Sequence, residues 1–520
     1  MHTFEVWAPT PSMVRVRIDG TDHDMARTPD GWWRAEIDVT AGARYGFVLD
    51  DAPAVLPDPR STRQPDGPHA LSQVHDLDPV GWTDAEWTGR QLAGNVVYAL
   101  DVGTFTETGT FDAAIDCLDH LVDLGVGFVE LCPVTDGAAW FAVAEASGGP
   151  DGLQRLVDAC HQRGLAVATT VAHHTGPELD GVAPYRADGA LNLSGPGSIG
   201  VRRHIVDSVL HWFRDFHLDA VRVEDTHALV DHGAIHVLEE LSIDTHRLAA
   251  HLRRPLTLVA DSASGDARIV TARAAGGYGF DAQWADDVHH AVHAAVSGER
   301  QGYYGDFGSI RALAHTLTHG YFHGGAYSTF HGRNHGRPMD IRHVPADAMI
   351  AYTGRCRGTG EHSGPVLTAG QRAVEAALVL CSPFTPTLFM GDEWGTGASS
   401  TLDWTEPGRP GHDRLLDCHR RLIALRHARA DLTDPWLEHL RIEYDEDARW
   451  IALIRGQLRV VCNLGDGPVA VPIGGIPVLW WDEPHVDETA SAVTVPGQSF
   501  AVLDTALRAV AAASPERHTQ

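Results

Sequence analysis

The sequence predicts an α/β protein: a (β/α)8 TIM barrel with a β-sandwich domain before it and a second β-sandwich domain after it. Three observations lead there. From Val96 to about residue 430, short apolar runs alternate with amphipathic segments of helical period. On either side of that stretch the pattern becomes short runs of period two, separated by turn residues. A chain of 520 residues is also long enough for two or three domains, each with its own core.

In residues 1–92 the runs Phe4-Glu5-Val6-Trp7, Val14-Arg15-Val16-Arg17-Ile18 and Trp32-Trp33-Arg34-Ala35-Glu36-Ile37 alternate apolar and polar side chains. Asp-Gly pairs and the Pro-rich Leu56-Pro57-Asp58-Pro59 separate them, as in a small sandwich. The barrel is assigned to 93–430. Its first strand is Val96-Val97-Tyr98-Ala99-Leu100, followed by a helix over 111–124 and the strand Gly127-Phe128-Val129-Glu130-Leu131. A helix over 152–163 precedes the strand 165–168. A helix over 201–217 leads into 218–223, and a helix over 234–253 leads into 256–260. Strands apolar on both faces that alternate with helices indicate a parallel sheet, and the length fits an eight-unit barrel. Residues 431–507 return to short strands at 450–455, 458–462 and 477–481, and 508–520 read as a disordered tail.

Composition narrows the partners. The net charge is −29, from 69 acidic and 40 basic residues, and every basic residue is Arg. Such a surface repels phosphate backbones, which argues against nucleic acid, while neutral sugars are indifferent to it. Seven scattered Cys without a CxxC pair argue against a disulfide framework and a zinc site. The N-terminus lacks a signal-peptide pattern and no run of about 18 apolar residues exists, so a cytoplasmic location off the membrane is expected. No cofactor or metal is implied, and the sequence says nothing about self-association.

Several segments together resemble the maltooligosyltrehalose trehalohydrolase family of α-amylase-type glycoside hydrolases. They are Leu56-Pro57-Asp58-Pro59-Arg60-Ser61-Thr62-Arg63-Gln64-Pro65, Val97-Tyr98 with Val102-Gly103-Thr104-Phe105, Arg222-Val223-Glu224-Asp225-Thr226-His227, Gly277-Tyr278-Gly279-Phe280-Asp281-Ala282-Gln283-Trp284-Ala285-Asp286-Asp287-Val288-His289-His290, Tyr303-Tyr304-Gly305-Asp306-Phe307-Gly308 and Phe389-Met390-Gly391-Asp392-Glu393-Trp394. The resemblance implies an α-glucan, maltooligosaccharide or maltooligosyltrehalose ligand. It also implies retaining hydrolysis by a nucleophilic Asp and an acid/base Glu, with a third carboxylate stabilising the transition state. Retention needs the two carboxyl groups roughly 5–5.5 Å apart across one bond.

Residue by residue, the carry-over is incomplete. Arg222 and His227 match. The nucleophile position holds Glu224, one methylene longer than Asp, and attack geometry wrong by about 1 Å costs on the order of 100-fold. Alternation along a strand turns Asp225 away from Glu224. The acid/base position holds Asp261. Arg357 stands at the third carboxylate's position, where its charge opposes the developing oxocarbenium and holds nearby carboxylates ionised. In Thr169-Thr170-Val171-Ala172-His173-His174 the usual Asp and Asn are missing, although His174 remains a substrate contact. The loop after Pro133 is shorter than the family pattern. It keeps Asp136 but has Thr135 in place of a sugar-stacking Tyr, which removes an apolar face for a glucose ring. Asp286 matches a substrate-side position, with a solvated loop as the alternative.

The same residues also admit plainer readings. Glu224, Asp225 and Asp261 are remnants held in a salt-bridged cluster by Arg222 and Arg357. The 32 His are solvated or hydrogen-bonded, and Trp32, Trp33 and Trp82 pack cores and do not form a glycan platform. The glycine-rich 391–397 has no phosphate-binding spacing. Two functions follow: a glucan-binding or repurposed pseudoenzyme on a trehalohydrolase frame, favoured by the altered positions, or an active glycosidase using Glu224 and Asp261.

Overall fold

The computed structural model describes all residues except 78–80, 138, 174–182, 188, 354–365, 397–400, 488–490 and 508–520. Eight parallel strands close into a barrel in sequence order. They are β1 (Val97–Leu100), β2 (Phe128–Leu131), β3 (Ala166–Ala172), β4 (Ala220–Glu224), β5 (Thr257–Ala260), β6 (Ala282–Trp284), β7 (Met349–Tyr352) and β8 (Thr385–Phe389). Pairing of Thr387, Leu388 and Phe389 with Val97, Tyr98 and Ala99 joins the last strand to the first.

The period of two along each strand sorts the side chains. Ala220 faces the barrel interior with Val97, Phe128, Ala166 and Ala168, and Val221 and Val223 face the surrounding helices. Together the inward-facing residues fill the lower interior, with Leu92 and Trp87 packed against them. The same alternation carries Glu130, Thr170, Arg222 and Trp284 inward above that floor.

The helices that wrap the barrel include Gly149–Gln162, Ser198–Arg214, Val237–Leu252, Asp286–Ser297 and Ala369–Leu380. The last opens with a capping box, in which the Thr368 hydroxyl accepts from Gln371 N–H and the Gln371 side chain accepts from Thr368 N–H. Several sequence-based expectations change in detail. The helix expected over 111–124 is two helices, Phe111–Ile115 and Leu118–Leu124, because Cys117 N–H donates back to Ala114 O and closes the first one early. β3 runs on to Ala172, since its two buried Thr keep pairing with Val221 and Arg222. Asp286 and Asp287 form the first turn of a helix, where carboxylates complement the N-terminal dipole, and not a solvated loop.

Before the barrel lie two sheets, His2–Trp7/Trp32–Ile37/Ala26–Arg27 and Thr21–Asp24/Val14–Ile18/Arg44–Leu49/Ser72–Gln73, around a core that includes Phe4, Val16, Trp33 and Phe47. Trp32 packs against the barrel-side core with the Arg60 guanidinium 5.0 Å from its ring, and Trp82 stacks on His217 at 3.9 Å, so all three tryptophans pack. After the barrel come a five-stranded and a three-stranded antiparallel sheet. Two buried guanidiniums brace the segment that follows helix Ala369–Leu380, Arg426 from helix His412–Ala428 and Arg455 from a strand of the five-stranded sheet. Arg426 donates to the carbonyls of Leu380, Ser382 and Phe384, and Arg455 to those of Cys381 and Asp434, satisfying the C-terminus of helix Ala369–Leu380. No helix among the described residues is long and apolar enough to cross a membrane.

Candidate active site

A cavity of about 340 Å3 opens at the C-terminal ends of the barrel strands. This is the end at which barrel proteins assemble their sites from several strands. Its wall includes Asp101 after β1, Cys132 after β2, Thr170 on β3, Arg222 and Glu224 on β4, and Trp284 on β6.

At its floor Arg222 is nearly inaccessible and shared between two carboxylates. Its Nε donates to Glu130 Oε1 at 2.6 Å and its Nη1 to Asp261 Oδ2 at 2.8 Å. The Thr170 hydroxyl donates to the same Glu130 oxygen at 3.1 Å, and the Trp284 ring lies 4.3 Å from the guanidinium carbon. Glu224 is 38% exposed and its Oε1 lies 4.0 Å from Arg222 Nη2. The guanidinium therefore grips Asp261 more closely than Glu224.

Asp261 is anchored through its backbone, which accepts from both the N–H and the hydroxyl of Thr226 at 2.9 Å. Burial raises its pKa, with added repulsion from Asp225 and Glu130, against the lowering effect of Arg222. Asp286 accepts from the Tyr352 hydroxyl at 3.1 Å. Burial, then the charge of Asp261, pushes its pKa up to about 7 despite that bond. Asp261 and Asp286 form an acidic group on the β5–β6 side, and neither is among the residues that line the 340 Å3 cavity.

Strand alternation stops before Asp225. β4 ends at Glu224 and Asp225 adopts a left-handed conformation with φ 46°, so it does not take the next face of the strand. Its carboxylate stays close enough to raise the pKa of Asp261 and lies 4.0 Å from His227 Nδ1. His227 is 39% exposed at that rim. Asp136 is exposed and borders a neighbouring cavity, outside the barrel-mouth wall. His174, Cys356 and Arg357 lie outside the described residues.

Glu130, Asp101, Trp140 and Trp284 were not singled out from sequence. Glu130 did carry a signal, as the lone charge in the apolar strand Phe128-Val129-Glu130-Leu131. Thr135 does not leave the cavity without aromatics, because Trp140, Trp284 and Phe389 are in its wall. Among the described residues no group of His, Cys, Asp or Glu is arranged to hold a metal ion, and His173 hydrogen-bonds the Ser208 hydroxyl at 2.8 Å.

A family model described as a domain of unknown function (DUF3459) matches residues 435–502, the region of the C-terminal sheets. A malto-oligosyltrehalose trehalohydrolase of Mycobacterium tuberculosis is 45% identical, with the match covering 97% of this chain and 99% of the relative. The chain belongs to the malto-oligosyltrehalose trehalohydrolase family. Another trehalohydrolase, from a Rhizobium species, is 39% identical over 96% of this chain and 97% of its own length. Among solved structures, a putative α-amylase from Salmonella typhimurium superposes with a TM-score of 0.84 at 26% identity, covering 96% of this chain and 97% of that one. A pullulanase from Paenibacillus barengoltzii, solved with maltotetraose, shares the fold with a TM-score of 0.73 at 19% identity over 97% of this chain and 93% of its own. Trehalohydrolase membership accounts for the barrel and its flanking sheets. What this site does rests on its own residues.

Proposed function

We propose that this trehalohydrolase-family chain is an α-glucan-binding pseudoenzyme in which retaining hydrolysis is lost or strongly impaired. One observation carries the reading: Arg222 holds Asp261 at 2.8 Å, whereas Glu224, 4.0 Å from the same guanidinium, is the more exposed of the two at 38% against 26%. Retaining hydrolysis needs both carboxyl groups flanking one bond, the acid delivering its proton to the leaving oxygen as the nucleophile attacks. An Asp one methylene shorter than the family's Glu, and ion-paired to Arg222, serves that step poorly. The cavity's aromatic wall and polar groups suit a neutral sugar, and relatives named for malto-oligosyltrehalose support an α-glucan as the class of ligand.

A second reading is active release of trehalose from maltooligosyltrehalose, with Glu224 as nucleophile and Asp261 as acid. The raised pKa of Asp261 favours it, since a general acid must keep its proton near neutral pH. In either reading Arg222, His227, His174, Asp136, Arg357 and Asp286 are the proposed substrate contacts.

Trehalose release from maltooligosyltrehalose separates the two. The pseudoenzyme reading expects no more release from the unmodified chain than from Glu224→Gln, together with calorimetric binding of maltooligosaccharides. Robust release that Glu224→Gln abolishes overturns it. Arg357→Asp, which restores a carboxylate to the family's third position, is expected to leave release low as long as Arg222 holds Asp261.

A further inference from the structure

Segment 81–92, between the N-terminal sheets and β1, straps the end of the barrel opposite the cavity mouth. Its Trp87 and Leu92 pack on Val97, Phe128 and Ala220, at the starts of β1, β2 and β4. Leu92 also borders, with Glu130 and Arg222, a small cavity of about 20 Å3. The underside of that buried ion pair therefore depends on where the strap sits.

His161, on helix Gly149–Gln162, fastens the strap. Its side chain is fully buried between two carboxylates. Nδ1 donates to Asp84 Oδ2 of the strap at 2.9 Å, and Nε2 to Asp219 Oδ2, just before β4, at 3.1 Å. Ionised carboxylates only accept, so both ring nitrogens carry hydrogen and the ring is an imidazolium. Asp219 is fixed by further donors: Val167 N–H at 2.9 Å, Trp87 Nε1 at 2.8 Å and Arg254 Nη1 at 3.2 Å. Asp84 also accepts from His217 Nδ1 at 2.8 Å. Two strap rings lie on these imidazoles, Trp87 on His161 at 4.6 Å and Trp82 on His217 at 3.9 Å. One turn back on the helix, Asp158 accepts from Thr83 N–H at 2.6 Å and from its hydroxyl at 2.8 Å. Burial pushes the neighbouring Cys160 thiol up and keeps it neutral, and Arg163 is turned to Asp119.

Burial disfavours the charged ring, but the hydrogen bonds and charges of Asp219 and Asp84 outweigh it and raise the His161 pKa above its ordinary value of about 6.5. Asp84 is buried too, yet hydrogen bonds from His161 and His217 hold its carboxyl well below the usual carboxylate range. A neutral ring has a single N–H, so loss of one proton leaves one of the two carboxylates facing a lone pair. We propose that segment 81–92 is a pH-sensitive latch, locked on the barrel while His161 bridges Asp84 and Asp219 as a cation and released when that proton leaves. The hold is complete below about pH 6.5, the value for a free His, and is lost as pH rises through the higher value in the folded chain. The latch acts whatever ligand the cavity takes.

Hydrogen–deuterium exchange of the full chain at pH 6 and pH 9 tests it, with folding of each variant checked by circular dichroism. The amides of Thr83 and Trp87, which donate to Asp158 Oδ1 and Asp84 O, report on the strap. Strand Trp450–Arg455 of the C-terminal sheet supplies the reference for the intrinsic effect of pH on exchange. Between the two pH values the strap is expected to lose about tenfold more protection than the reference for each pH unit by which the His161 pKa is raised. Asp84→Asn, whose amide can face either an N–H or a bare ring nitrogen, should flatten that difference. His161→Gln, which has no proton to lose in this range, should flatten it too. Strap protection that follows the reference in the unmodified chain, or an excess loss at pH 9 that survives in either variant, overturns the latch.

Discussion

Arg222 and Glu130 are each only about 5% exposed and pair at 2.6 Å in the barrel interior. Removing one partner leaves a buried charge uncompensated, which costs about 3–5 kcal/mol. Arg222→Met is therefore expected to destabilise by about that amount in urea unfolding, and adding Glu130→Leu should recover most of it. Equal stability of the single and double variants would count against the ion pair. Asp286 gives a pH signature. In the unfolded chain it ionises near the ordinary carboxylate value of about 3.9. Folded, it holds its proton up to about 7. Between those values the folded state binds the extra proton, so the stability it contributes at low pH is lost as pH rises through 7. Asp286→Asn should thus gain stability relative to the unmodified chain at pH 8 compared with pH 5. A difference that does not change with pH removes the assignment.

At the scale of elements, the N-terminal sheets dock on helix Ser198–Arg214 through one close approach. A Cβ placed on Gly200 would lie 2.2 Å from Cζ2 of Trp7, whose indole also meets Tyr185 edge-on at 5.9 Å. Gly200→Ala forces the indole to move and is expected to cost about 1–3 kcal/mol, as overpacking does. Thermal melting reads the loss, and Trp7→Leu in the same chain should recover part of it. The glycine was legible as a letter and its role was not, because its partner is nearly two hundred residues away in sequence. The strands were easier to read. Val14–Ile18 and Trp450–Arg455 fall where the sequence pattern put them, since period two and flanking turn residues are local signals.

At the scale of the whole molecule, a net charge of −29 on a fold with three sets of packed sheets implies self-repulsion. Raising ionic strength from about 0.02 to 0.2 M shortens the Debye length severalfold and should raise the melting temperature. Affinity for a neutral maltooligosaccharide should hardly change over the same range. A steep salt dependence of saccharide binding would mean that charge pairing carries it, against the neutral-sugar reading.

The sequence by itself determined the barrel, the β-domains on either side and the family, because periodicity, turn chemistry and contiguous motifs are all local in the chain. It also determined that Arg222 and Glu224 share a face, two residues apart on β4. Only the tertiary structure decided what Arg222 holds. Its partners Glu130 and Asp261 come from β2 and the end of β5, brought within hydrogen-bond reach by closure of the barrel. The Trp284 ring against the Arg222 guanidinium and the Tyr352 hydroxyl on Asp286 arise in the same way. Each depends on distances between elements far apart in sequence, which no local pattern encodes.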